Sequence, residues 1–242
     1  MVKGSNIFYL FILFVLTSCG GGEDYSKPPV DNIIRDMPSN RVFSIILNDM
    51  DVQGTFFHDY YHQYKIIQEK EPGKPEEFVT GWQKVSKDYF KKNADNMGME
   101  IASRGEDGKL HKSVSPPGYN NYIGNERYGT WQTAGGHSFW HFYGQYAFMS
   151  SMFNLMSYPV RRSYYDDYRG GYYGTGRSYY GPTVSGRPYY GTNSAYTRST
   201  RPNSTWSRNT SSFKRRVANR TSRSGSRYGG SSSRSRGGGF GK

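Results

Sequence analysis

Four of the chain's five histidines stand in two pairs with one spacing, His58-x-x-x-His62 and His137-x-x-x-His141. A four-residue step puts both rings on one face of a helix, or on one face of a strand two pleats apart, so each pair can clasp a metal ion. If the pairs met they would form a four-histidine site, with Asp59 as an oxygen ligand or a partner for a ring N–H. Such a site would make the chain a metal-binding or sensor protein. A blander use of the same residues is packing, since both pairs lie in aromatic-rich runs where histidine serves as amphipathic filler. Neither pair carries the glutamate of His-Glu-x-x-His, so zinc-dependent hydrolysis is not indicated. Asp49 and Asp51 would share one strand face and could serve acid–base work or calcium, or simply a solvated surface. The sequence holds no Gly-x-Ser-x-Gly elbow, phosphate loop or dinucleotide fingerprint. It is expected to be non-enzymatic and to need no cofactor.

The second kind of chemistry is charge. The net charge is +13, and it is unevenly placed. Residues 1–160 carry 15 Lys+Arg and 17 Asp+Glu, whereas residues 161–242 carry 17 Lys+Arg against only Asp166 and Asp167. Arginine pairs with phosphates and stacks on rings, and tyrosine supplies flat faces, so the mixture suits polyanions. The residues best placed for this are Arg215, Arg216, Arg220 and Arg223, with aromatic support from Tyr172, Tyr173, Tyr179 and Tyr180. In a cytosolic chain RNA would be the natural partner. In an exported one the expected partners are anionic lipids, envelope polymers or a protein, the blander use of the tail being a solvated spacer.

The N-terminus addresses that choice. Lys3 precedes the apolar run Ile7–Leu16, which is too short to span a bilayer, and the run ends in Leu16-Thr17-Ser18-Cys19. This segment resembles the bacterial lipoprotein signal, whose lipobox is leucine, two small residues and a cysteine. The resemblance implies cleavage after residue 18, a diacylglycerol on the Cys19 sulfur, acylation of the freed amine and a membrane-anchored envelope protein. Two or more acyl chains anchor stably where one does not. Gly20 after the cysteine implies, in that family, sorting to the outer membrane. The Ser231–Lys242 ending, rich in Ser, Arg and Gly, is similar to the tails of YgiB-type bacterial lipoproteins. That likeness covers about a dozen low-complexity residues and transfers no site.

The elements that must position these groups read as α+β: a small compact mixed region followed by a long disordered, low-complexity tail. One cysteine excludes a disulfide scaffold, and 34% hydrophobic content excludes a polytopic membrane protein. Residues 1–18 read as signal peptide and 19–40 as a flexible linker. Residues 41–137 read as the α+β region. Within it, 41–53 and 55–68 flank Gly54 as an antiparallel pair, a helix for the second being the close rival. Residues 77–97 read as an amphipathic helix with Gly98 as its cap. Met99–Ser103 and Lys109–Val114 flank the turn pair Asp107-Gly108 as a hairpin. Residues 138–160 lack Asp, Glu, Lys and Arg and are rich in aromatics and methionine, which predicts an apolar helix. That helix would be core, interfacial, or a dock for an integral-membrane partner, with a membrane span the remaining use. From 161 to 242 the sparsity of aliphatic residues predicts disorder in isolation.

Overall fold

The structure, a computed structural model, describes residues 27–54, 57–71, 73–209 and 211–222. Cys19, the signal segment and Arg223 lie outside the described residues. The chain is α+β, as its patterning predicts. The elements run α1 (Pro29–Asp36), β1 (Val42–Gln53), β2 (Asp59–Glu71), β3 (Lys74–Val79), β4 (Gln83–Val85), α2 (Lys87–Lys92), β5 (Glu100–Arg104) and β6 (Leu110–His111). They continue β7 (Gly129–Ala134), β8 (His137–Phe142), α3 (Met149–Met152), α4 (Arg162–Gly171), β9 (Thr183–Val184), β10 (Arg187–Pro188), α5 (Ala195–Thr200), α6 (Thr205–Arg208) and α7 (Ser211–Ser222).

The centre is an antiparallel sheet ordered β3-β2-β1-β5-β6, with β4 also paired to β2. Strands β1 and β2 form a long pair running from Val42 opposite Glu69 to Gln53 opposite Asp59. The turn at Gly54 has φ +93°, a conformation glycine adopts at no steric cost. Period-2 geometry sends Phe43, Ile45 and Leu47 to one face of β1 and Ile46 to the other. Because apolar side chains leave both faces, the sheet must be covered twice. Helices α1, α2, α6 and α7 cover the first face, placing Val30, Ile34, Phe90, Trp206 and Val217 over it. The chain from residue 119 to 179 covers the second with Tyr119, Tyr122, Tyr128, Trp140, Met149, Phe153, Tyr168 and Tyr179.

Several expectations are corrected here. The linker expected over 19–40 is helical from Pro29 to Asp36, because Pro29 starts the helix and Val30 and Ile34 give it a buried stripe. The helix expected over 77–97 is divided. Val79 and Val85 belong to strands paired with β2, and only Lys87–Lys92 is helical, started by Ser86, whose hydroxyl accepts from the Tyr89 N–H. Residues 138–160 do not form one helix. Ser-Phe-Trp-His-Phe alternates with period 2, and Gly135 and Gly136, both at positive φ, close a two-residue hairpin between β7 and β8. Beyond it come a 3-10 turn at Gly144–Tyr146 and the short α3, followed by Asn154 at φ +57°. Among the described residues no helix is long and apolar enough to cross a membrane.

The largest correction concerns the tail over residues 161–222 only, since residues 223–242, with the Ser231–Lys242 ending, lie outside the described residues. Regular structure continues past residue 160 through α4 to α7. Tyr168, Tyr179, Tyr190, Tyr196, Trp206 and Val217 are buried. Tyrosine replaces aliphatic residues as the apolar filler, because a buried ring removes a large apolar area from water provided its hydroxyl finds a partner. These hydroxyls do: Tyr179 donates to the Tyr164 carbonyl at 3.0 Å, Tyr180 to Asn96 Oδ1 at 2.7 Å and Tyr168 to Asn120 Oδ1 at 2.5 Å. The Tyr190 and Tyr119 hydroxyls bond each other at 3.2 Å.

Candidate functional site

The two histidine pairs are separated by the architecture. His62 lies on β2 with its ring enclosed by Tyr64, Tyr89 and Phe90 at centroid distances of 5.9, 5.6 and 5.3 Å. It is fully buried, and burial holds its pKa down to about 3, so the ring is neutral. Its Nδ1 meets the Tyr64 hydroxyl at 3.2 Å, and Nε2 has no partner. His58 precedes the strand, and its Nδ1 donates to the Gly54 carbonyl at 2.9 Å. His137 and His141 lie exposed on β8, in a separate two-stranded sheet. Among the described residues no group of three or more His, Cys, Asp or Glu side chains could hold a metal.

The acidic residues also have structural duties. Asp49 sits at the N-terminus of α6, far away in sequence. Its Oδ1 accepts from the Ser204 hydroxyl at 2.5 Å, and its Oδ2 accepts from the Thr205 N–H at 2.7 Å. A carboxylate there satisfies helix N–H groups that have no intrahelical partner and complements the helix dipole. Asp51 accepts from the Val52 N–H and the Gln53 amide, and Asp59 pairs with Lys84.

The basic C-terminal third forms a layer whose rings point inward and whose cations largely point outward. Tyr179 is buried, and Tyr172, Tyr173 and Tyr180 are half-buried. These rings are packing groups, with Arg177 over Tyr172 at 4.7 Å and Arg169 over Tyr173 at 3.7 Å. Arg169, Arg177, Arg187, Arg198, Arg208 and Arg215 are exposed. Among the described residues after 160 the one ion pair is Arg162 with Asp166. Arg201 is the exception to the outward trend: burial depresses its pKa, while the Tyr196 phenol opposes that shift. Arg216 and Arg220 fall within α7.

A polar cleft that sequence reasoning missed opens where β1 begins. Its inner lobe, about 120 Å³, is lined by Gly105, Asp107, His111, Asn120, Asn121 and Tyr173 among others. Its outer lobe, about 280 Å³, is lined by Asn40, Arg41, Glu69, Lys70 and Arg127, and Val42 and Glu106 line both. The β1–β2 register sets Val42 opposite Glu69, and the β1–β5 register sets Phe43 opposite Arg104, which carries Gly105 and Glu106 to the same end. The Tyr128 hydroxyl donates to Glu69 Oε1 at 2.5 Å and lies 3.2 Å from Glu106 Oε1, and Arg127 pairs with Glu106. Burial, then the Glu69 carboxylate, push the Tyr128 phenol well up. Behind the cleft the fully buried Glu100 accepts from Asn120 Nδ2 at 2.6 Å and from the Gly118 N–H at 3.1 Å, and burial raises its pKa.

Comparisons of this chain with protein families, with curated proteins and with solved structures each find no match.

Proposed function

We propose that the protein is a lipid-anchored, non-enzymatic envelope component whose C-terminal layer meets anionic surfaces. The anchor is the acylated Cys19 expected from the lipobox resemblance. The observation that carries the surface role is the charge of residues 161–222. They hold twelve Lys+Arg against Asp166 and Asp167, with the tyrosines turned into the core and most of the arginines left outside. Each cation near an anionic membrane contributes on the order of 1 kcal/mol, so several acting together give firm but salt-sensitive adhesion.

The test separates anchor from surface. Full-length Cys19→Ser protein, without lipid, is mixed with vesicles of phosphatidylglycerol or of phosphatidylcholine across a salt series. Binding to the anionic vesicles alone, weakening as salt rises and weaker still in Arg208→Ala/Arg215→Ala, is the expected outcome. Equal binding to both vesicles, or salt-independent binding, refutes the electrostatic mechanism. Labelled palmitate entering the wild type and not Cys19→Ser is the expected result for the anchor, and no incorporation refutes it.

A further inference from the structure

We propose, resting on the surface role above, that the tip of the β1–β2 hairpin is where the anionic bilayer is met, with the Phe57 ring entering it. Phe57 is 92% exposed, and among the described residues only Met156, at 88%, leaves a comparable share of a large apolar side chain in water. A single exposed apolar residue is ordinary on a protein surface. Phe57 differs in how it is held and in what surrounds it.

The turn is tied down on both sides. Gly54 has φ +93°, and a Cβ there would collide with the Phe57 carbonyl oxygen, so the chain reverses in a form that needs glycine. The Gly54 carbonyl accepts from His58 Nδ1 at 2.9 Å, and the His58 ring meets Phe213 of α7 edge-on, with centroids 6.5 Å apart. The long β1–β2 ladder stands behind the turn as its arm. Cations gather at the same end. Tyr60 pairs with Val85 and Tyr61 with Lys84, which brings Lys84 and the start of α2, Lys87, beside the base of the turn. The Phe213 contact brings the first turn of α7 with Lys214 and the exposed Arg215. Lys214 Nζ donates to the Ser207 carbonyl at 3.5 Å, which adds the neighbouring Arg208. Against these stand Asp51, Asp59 and Asp88, and Asp59 is already paired with Lys84.

This surplus of positive charge draws the end of the sheet to anionic headgroups, and a ring pushed past them gains by leaving water. The occupant is a bilayer rather than a protein, because a projecting tip offers a protein partner little of the area a stable interface needs, whereas lipid closes around it.

Cys19→Ser removes the chain's one thiol. A second substitution, Phe57→Cys or Met156→Cys, then places a single environment-sensitive fluorophore in the full-length protein. On phosphatidylglycerol vesicles the label at 57 should shift to the blue and be quenched by nitroxide-bearing lipid, while the label at 156 stays in water. Unlabelled Phe57→Ser, with the melting curve of its Cys19→Ser parent, should bind these vesicles roughly tenfold more weakly and keep the parent's salt dependence. If the parent binds with salt sensitivity but the label at 57 remains aqueous, insertion is refuted and the surface role stands. The same holds if folded Phe57→Ser binds as tightly as its parent, or if only the label at 156 enters lipid. A parent that binds no anionic vesicle overturns both.

Discussion

His62 gives the fold a calculable sensitivity to acid. In the unfolded chain the imidazole titrates near 6.5, and in the folded chain burial lowers this to about 3. The unfolded state therefore binds more protons at any pH below 6.5, and stability falls as the pH drops from there toward 3. At pH 5 nearly every unfolded copy is protonated and almost no folded copy is, which costs about 2 kcal/mol relative to neutral pH. Against a domain stability of about 5–15 kcal/mol that loss is easily resolved. Urea denaturation of full-length Cys19→Ser protein between pH 7.5 and 5, with and without His62→Phe, reads it directly. Phenylalanine suits a cage of Tyr64, Tyr89 and Phe90 and carries no proton. The other four histidines and the raised carboxyl of Glu100 are common to both proteins and cancel in the difference. The expected result is a wild-type stability that falls by about 2 kcal/mol more than the variant's across this window. Parallel pH profiles, or a folded-state His62 resonance titrating near 6.5, would refute the assignment of a neutral, sealed imidazole.

Two further perturbations probe how the C-terminal third is attached. Asp49→Ala removes the acceptor for Ser204 and Thr205, and should cost about 1–3 kcal/mol. Hydrogen exchange should show residues 204–222 losing protection before the central sheet does. Gly124 and Gly186 have nearly the same positive φ, +76° and +75°, but only at Gly124 would a Cβ lie 2.4 Å from the Tyr165 ring. Gly124→Ala should therefore lower the melting temperature more than Gly186→Ala, the difference being the clash, on the order of 1–3 kcal/mol.

The parts of the fold written in local pattern were legible in the sequence. β-Branched and aromatic content before Gly54 and alternation after it give β1 and β2, and Asp107-Gly108 marks the turn between β5 and β6. Where period-2 and helical spacings overlap, pairing decided. Val85 and Phe90 fit one helical stripe, yet Tyr60 of β2 pairs with Val85 and so holds Gln83–Val85 extended. Asp49 was unreadable for a different reason: its partner Ser204 is 155 residues away and leaves no trace near position 49. The cleft stands between these cases. Arg41, Glu69 and Gly105 look unrelated along the chain, but they become neighbours once Val42 is set opposite Glu69 and Phe43 opposite Arg104. Register is fixed by which side chains each face can bury, and composition does not report it.

The tyrosines of the last third carry a consequence for binding. A disordered Arg/Tyr/Gly ribbon would offer a polyanion both charge and stacking faces. In this fold Tyr168, Tyr179, Tyr190 and Tyr196 are each at most 3% exposed, and Arg169 and Arg177 already cover Tyr173 and Tyr172. Much of the aromatic surface is thus committed to the interior, while exposed cations such as Arg187, Arg198, Arg208 and Arg215 remain available. A surface so divided attracts by long-range charge and has few faces with which to stack on a base. It should therefore discriminate ligands by charge density more than by aromatic character. This is the behaviour suited to contact with a phosphate-bearing membrane surface, where headgroup charge is dense and flat rings are scarce.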